Sequence, residues 1–215
     1  MNTVALTASG LKKTFNRRLI FSDISFSLTN GNSLAIAGRN GSGKSTLVKI
    51  LAGLLSPTKG KCDLSIDGKE VSDALLFRHL GFVSPYLQMY DEFSGLENLT
   101  LSMKIRGLQI HDDEIRSLLE KVNLEHRKND LVRTYSSGMK QRLKYAFALL
   151  HQPPVLILDE PTSNLDAEGI GVVYQIIEDQ KKKGMIIVAT NDAADQQLCE
   201  QIIDLNILPV KEEKK

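Results

Sequence analysis

In 215 residues there are only two cysteines, and the charges almost cancel, with 27 Lys and Arg against 26 Asp and Glu. Cys62 and Cys199 stand far apart. They lack metal-ligand spacing, so a zinc site is excluded, and both read as structural thiols in a reduced compartment. A formal charge of +1 supplies no global field toward nucleic acid or an anionic membrane. Long apolar runs are missing as well. VLILD (155–159) and MIIVAT (185–190) stop far short of the roughly 20 residues that span a bilayer. The opening MNTVALTASG has neither the charged nor the apolar region of a secretory signal, so a cytoplasmic chain is expected. Internal repeats and low-complexity linkers are absent. What is present, 42% hydrophobic and 25% charged residues, is the balance of a soluble globular protein of one to one and a half domains.

Short β-rich runs open the chain, VALTA, LIFSDISFSL and SLAIA, with turn signals at 16–18 and 30–32. After SLAIA comes a glycine-rich loop, then KSTLVKILAGLL, whose apolar Leu47, Ile50, Leu51 and Leu54 fit one helix face ended by Ser56-Pro57. Strand, glycine loop and helix begin an α/β unit. KCDLSIDG and LGFVS read as further strands. From about Tyr86 to Leu150 the pattern is helical, with Ile115, Leu118, Leu119 and Val122 on one face. Strands resume at VLILD, MIIVAT and QIIDL, with a helix through IGVVYQIIEDQKKK between the first two, and the tail KEEKK is expected to fray. A helical insert therefore interrupts an α/β domain.

GRNGSGKST, residues Gly38, Arg39, Asn40, Gly41, Ser42, Gly43, Lys44, Ser45 and Thr46, fits G-x-x-x-x-G-K-[ST]. Small residues let backbone N–H groups wrap an anion, and a lysine adds a point charge. The helix that follows aims its N-terminus at the same phosphates. Lys44 is assigned to the β and γ phosphates and the Ser45 hydroxyl to Mg²⁺. This loop holds no carboxylate, and LILDEPTSNLD (156–166) supplies one. Four apolar residues bury a central strand and leave Asp159 at its carboxyl end, where an open α/β sheet binds ligands. Asp159 is placed to hold Mg²⁺ through water, and Glu160, one step on, to accept a proton from an attacking water.

At these residues the sequence resembles the ATP-binding-cassette (ABC) ATPases over essentially its whole length. GRNGSGKST corresponds to Walker A, VLILDE to Walker B, SNLD (163–166) to the D-loop and YSSGMKQR (135–142) to the family signature. Read without the family, the signature is a helix capped by Ser136, with Ser137 and Gly138 leaving backbone donors open. The resemblance implies a P-loop NTPase core with an N-terminal antiparallel β subdomain and an inserted α-helical subdomain. It implies one domain over 1–215, with 1–85 and 151–215 forming core and β subdomain and 86–150 the insert. It also implies that Ser136, Ser137 and Gly138 meet the γ-phosphate held by another protomer, so that two ATPs are sandwiched in a head-to-tail dimer. That dimer is a homodimer, or a heterodimer with a second ATPase subunit. Asp166 joins the nucleotide site with the D-loop, and Phe15 becomes the aromatic that stacks on adenine, although alone Phe15 reads equally as core.

Three positions depart from the family pattern. Ser137 and Met139 stand where glycine and glutamine are commonest, which keeps small size and the Ser136 hydroxyl. Pro85 occupies the position of the metal-sensing glutamine. Gln88, three residues on, reads either as its substitute at the metal or as a surface glutamine. Asn191 replaces the histidine that contacts the γ-phosphate, and His79, His111, His126 and His151 all read as surface or packing residues. The reading is an ATP-hydrolysing subunit with ATP and Mg²⁺ as cofactors, peripheral at the inner membrane face and driving a separate multi-helix membrane subunit. No nucleic-acid partner is expected. Tyr86, Met89, Tyr90 and Phe93 read as the membrane-subunit contact or as insert core. Two alternatives stand beside this reading. One is a soluble, non-transport ABC ATPase, which would bring a second cassette, a coiled coil or zinc cysteines. The other is a nucleotide-gated switch with little hydrolysis, motivated by Pro85 and Asn191.

Overall fold

The computed structural model describes residues 2–109 and 111–206, so the tail KEEKK lies outside the described residues. Two sheets form the frame. Strands β1 (Val4–Phe15), β2 (Arg18–Thr29), β4 (Lys59–Ile66) and β5 (Lys69–Glu70) make an antiparallel sheet in the order β2-β1-β4-β5. Strands β3 (Ser33–Ala37), β6 (Leu80–Val83), β7 (Val155–Asp159), β8 (Met185–Thr190) and β9 (Gln201–Asp204) make a sheet in the order β6-β7-β8-β3-β9, with every pairing parallel. Burial on both faces explains why β3, β7 and β8 are almost wholly apolar. β1 runs well past VALTA because its continuation pairs with β2 as far as Phe15 opposite Arg18. The two-residue turn between them, Asn16 and Arg17, has positive φ at both positions, matching the twist that favours tight hairpins.

Helix α1 (Lys44–Leu51) stops earlier than Ser56-Pro57. Gly53 takes the left-handed conformation, φ 71°. Its N–H reaches the Ile50 carbonyl at 3.0 Å while the Leu54 N–H reaches that of Lys49 at 2.8 Å, the two closing bonds of a Schellman stop. Glycine chemistry ended the helix before proline could.

The three helices α2 (Gly95–Arg106), α3 (Asp112–Lys121) and α4 (Ser137–Leu149) lie between β6 and β7 in the chain. Helix does not begin at Tyr86. Residues 84–94 are irregular, and the buried Asn98 side chain replaces a helical ladder there, accepting from Tyr90 N–H at 2.8 Å and donating to the Tyr90 carbonyl at 3.0 Å. α2 begins instead at a capping box. Ser94 Oγ accepts the Glu97 N–H at 3.2 Å, and Glu97 Oε2 the Ser94 N–H at 2.7 Å. α5 (Ala167–Lys181) and the short α6 (Ala193–Gln197) complete the α-helices of the described residues.

One hydrophobic core joins α1 to the antiparallel sheet and one face of the parallel sheet. The other joins α2 to α5 with the opposite face. Cys62 and Cys199 are half-buried and unpaired, and burial pushes both thiols up to about 12, as suits structural residues. No described helix is long and apolar enough to cross a membrane.

Candidate functional site

The site forms at the carboxyl ends of β3, β7 and β8, where parallel strands deliver their loops to one edge. Gly38 to Gly43 leave β3 and hand over to α1 through Gly43, whose φ of 104° and missing side chain are both required. A Cβ there would lie 2.5 Å from Ile20 Cγ2 on β2. No side chain caps α1, so the N–H groups of its first turn face the cradle and favour an anion.

Lys44 is 5% exposed and curls back over the loop. Its ammonium donates to the Gly38 carbonyl at 2.9 Å and the Arg39 carbonyl at 3.5 Å, and pairs with Glu160 Oε1 at 3.1 Å. Ser45 donates to Asp159 Oδ1 at 3.1 Å. Asp159 is fully buried and its second oxygen, Oδ2, has no hydrogen-bond partner. Burial pushes this carboxyl above its usual range, the Ser45 hydroxyl pulls it back, neighbouring Glu160 raises it again, and Lys44 and Lys49 lower it. An orphaned carboxylate oxygen beside a serine hydroxyl is a donor set suited to a hard cation completed by water and phosphate oxygens. The described residues contain no cluster of three or more His, Cys, Asp or Glu side chains that would hold a metal without such outside ligands.

Glu160 leaves β7 in a left-handed conformation, φ 50°, unusual for a non-glycine residue and sustained only where its surroundings fix it. They do so here. The Glu160 N–H donates to the Ala189 carbonyl at 2.8 Å, Ser163 Oγ donates to the Glu160 carbonyl at 2.9 Å, and Tyr145 of α4 donates to the Pro161 carbonyl at 2.7 Å. Asn191, just after β8, donates through Nδ2 to Oδ1 of Asn40 in the glycine loop at 3.2 Å. One edge thus brings together the glycine loop, Lys44, Ser45, Asp159, Glu160 and Asn191.

The remaining sequence-assigned residues lie on other elements. Phe15 is 44% exposed at the hairpin tip, with the Lys13 ammonium 4.8 Å from its ring centre, so it is a surface aromatic and not core. Ser136 caps α4, accepting the Met139 N–H at 3.2 Å, with Ser137 the first residue of that helix. Gly138 lies against the D-loop, where an added Cβ would come within 3.5 Å of the Asn164 carbonyl. Asp166 caps α5 by accepting the Gly169 N–H at 2.8 Å. Among the described residues no hydrogen bond joins Ser136, Ser137 or Gly138 to the glycine loop of the same chain.

Gln88 is exposed and lines a groove of about 500 Å³ with Phe77, Met89, Tyr90, Ile105, Arg106 and Phe147. α4 grips the segment leading into that groove twice. Lys144 donates to the Ser84 carbonyl at 3.3 Å and the Pro85 carbonyl at 3.1 Å, and Lys140 pairs with Asp91 at 2.7 Å.

The family model described as ABC transporter matches residues 21–163. The chain belongs to the ABC transporter family. Among curated relatives, an uncharacterized ABC transporter ATP-binding protein of Bacillus subtilis (strain 168), YybJ, is 31% identical over 199 residues, covering 91% of this chain and 90% of the relative. The lantibiotic transport ATP-binding protein SrtF of Streptococcus pyogenes is 37% identical over 186 residues, covering 86% of this chain and 79% of SrtF. Among solved structures, the dimeric post-hydrolysis state of the ATP-binding cassette MJ0796 bound to ADP and Pi superposes with a TM-score of 0.81. It is 25% identical, and 93% of each chain is covered. As an ABC ATP-binding subunit the chain is an ATPase, and the antiparallel sheet, parallel sheet and helices around its site are those of this cassette fold.

Sequence reasoning missed the residues that hold the site from behind. Lys144, Tyr145 and Asp195 act on it through contacts between distant segments, and Thr162 and Thr190, although close to Glu160 and Asn191 in sequence, show their role only through Asp195.

Proposed function

We propose that this ABC ATPase binds MgATP on the Gly38–Thr46 loop, closes head to tail on a second cassette, and hydrolyses ATP to drive a separate membrane subunit. The observation that carries the reading is the Lys44, Ser45, Asp159 and Glu160 constellation at one sheet edge, with a buried Asp159 oxygen awaiting a partner. Ser45 and Asp159 would hold Mg²⁺, which when bound neutralises charge on the phosphates. Lys44 leaves Glu160 to meet the β and γ phosphates. The freed Glu160 carboxylate, set by its fixed backbone, orients water and takes its proton. Asn191 donates to a γ-phosphate oxygen while holding Asn40 in place.

Ser136, Ser137 and Gly138 belong to a trans site, a reading supported by Ser136 capping α4 while none of the three bonds to the glycine loop of its own chain among the described residues. They would complete the nucleotide site of a partner cassette, the same chain or a second ATPase subunit. Phe15 would stack on adenine, which its exposure permits. Residues 86–150 act as the inserted helical unit, and 1–85 with 151–215 as core and β subdomain. The groove beside Gln88, lined by exposed Tyr90 and Ile105, would receive the membrane subunit together with the exposed Tyr86 and Phe93, and so hold the cassette at the inner face of the membrane. A nucleotide-gated switch with little hydrolysis is a second reading, supported by Gln88 lining the groove.

ATP turnover by the purified chain, compared with Glu160→Gln, tests the proposal. Phosphate release that depends on Mg²⁺ and on Glu160 is expected. Tight MgATP binding without Glu160-dependent release would replace hydrolysis by the switch, and no MgATP binding would overturn both.

A further inference from the structure

Asp195, on α6 four residues after Asn191, is 1% exposed, and its carboxylate accepts three hydroxyl donors. Oδ2 accepts from Thr162 at 3.0 Å and from Thr190 at 3.0 Å, and Oδ1 accepts from Tyr174 at 3.1 Å. Thr162 lies two residues after Glu160 and Thr190 immediately before Asn191. The same Thr190 hydroxyl accepts the Asp192 N–H at 3.0 Å, and Asp192 in turn caps α6 through the Ala194 N–H at 2.7 Å. One carboxylate oxygen is thus shared by the loop that follows β7 and the last residue of β8, from which the Asn191 loop departs.

We infer that Asp195 is a positioning residue that fixes Glu160 and Asn191 relative to one another by tying Thr162 and Thr190 to a single oxygen. The chemistry favours this role. A carboxylate accepts at both oxygens and donates nothing, so three hydroxyls can converge on it without competing for a proton, and hydrogen bonds to a charged acceptor are about twice as strong as neutral ones. Glu160 sits at positive φ, a conformation that persists only where contacts over-determine it. Asp195 adds a hold on the far side of Pro161, whose carbonyl is already fixed by Tyr145. Tyr174 belongs to α5 and, among the described residues, makes no hydrogen bond to either loop, so its bond to Oδ1 is the arm that anchors Asp195 to the helix. The inference rests on the proposed roles of Glu160 and Asn191, but the geometric tie can be measured without them.

Four variants separate positioning from stability. Thr162→Val cuts one tie and Thr190→Val the other, the latter together with the Asp192 N–H bond, both keeping the side-chain shape; Asp195→Asn keeps an acceptor for both threonines, and Tyr174→Phe cuts the packing arm. Misplacement of reacting groups by a fraction of an ångström lowers turnover with little change in binding, so each valine variant is expected to lose about tenfold in kcat with KM for ATP nearly unchanged. Asp195→Asn should keep most of the wild-type rate, and Tyr174→Phe should lower Tm without lowering kcat. Hydrogen exchange provides the activity-independent readout: either valine variant should speed exchange in both 160–166 and 190–193, and Tyr174→Phe in neither. Valine variants whose exchange rises only in their own loop would overturn the tie. So would a Tyr174→Phe loss of kcat equal to theirs. A wild-type chain that binds but does not hydrolyse ATP, with exchange coupled across both loops, would remove the catalytic reading and keep the tie.

Discussion

The Lys44 ammonium lies 3.1 Å from Glu160 Oε1, so the group that should grip phosphate and the group that should activate water occupy one another. Binding nucleotide must break this pair, and the two residues then affect affinity in opposite directions. Lys44→Ala removes the phosphate contact and is expected to weaken MgATP binding by about 2 to 4 kcal/mol, the range for losing one partner of a desolvated charge pair. Glu160→Gln removes only a competitor. A partly exposed pair is worth about 0.2 to 1 kcal/mol, so this variant should bind MgATP slightly tighter than the wild type. Titration calorimetry measures both, and weaker binding by Glu160→Gln would show that the pair does not compete with nucleotide.

Trapping ATP should also expose the dimer. In Glu160→Gln, sizing chromatography with MgATP is expected to give a species of twice the monomer mass that disappears when Mg²⁺ is chelated. Adding Ser136→Ala should abolish that species while lowering stability by only about 1 kcal/mol, the usual cost of an N-cap serine. A dimer that survives Ser136→Ala would place the interface elsewhere.

Asn191 can donate a hydrogen bond but never carry a proton charge. Asn191→Ala is expected to slow steady-state hydrolysis about tenfold, near 1.4 kcal/mol, by losing both the phosphate donor and the 3.2 Å hold on Asn40. Asn191→His should be neutral or faster. Equal rates for Asn191→Ala and wild type at saturating MgATP would remove this side chain from the site.

His151 sets an acid limit on stability. Burial and the nearby Arg106 charge lower its pKa to about 4 from the ordinary 6.5, against the opposing bond to the Leu80 carbonyl. The unfolded chain therefore binds a proton that the folded chain refuses, and stability falls as pH drops from about 6.5 through about 4. His151→Gln, which can still donate to Leu80, should flatten this part of the melting profile. Parallel profiles for variant and wild type would assign the acid loss to other groups.

The chemistry at the sheet edge was legible because it is written in contiguous residues. A glycine loop must follow its strand and an acid pair must end one, so spacing alone pointed to Lys44, Asp159 and Glu160; for Ser136 it gave only a helix cap, and a nucleotide role came with the family resemblance. Two element boundaries were missed where a stronger local device overrode the apparent pattern: Gly53 stopped α1 before proline, and Asn98 tied up the backbone at Tyr90 so that no helix formed from Tyr86. Asp195 was illegible for another reason. Its partners Thr162 and Tyr174 are 33 and 21 residues away, and an aspartate on a five-residue helix carries no signal until the sheet has brought them together.

The two lysine grips on α4 turn that helix into a lever. Lys140 and Lys144 stand four and eight residues from Ser136, about 6 and 12 Å along the axis, and both hold the segment that runs from β6 into the groove. A tilt of about 5° about the Lys144 anchor would carry the Ser136 end through about 1 Å. That is enough to make or break a hydrogen bond to a phosphate oxygen. With the groove as the proposed docking site and Ser136 as the proposed phosphate contact, a load on the one would be read at the far end of the helix as the arrival or withdrawal of a single serine.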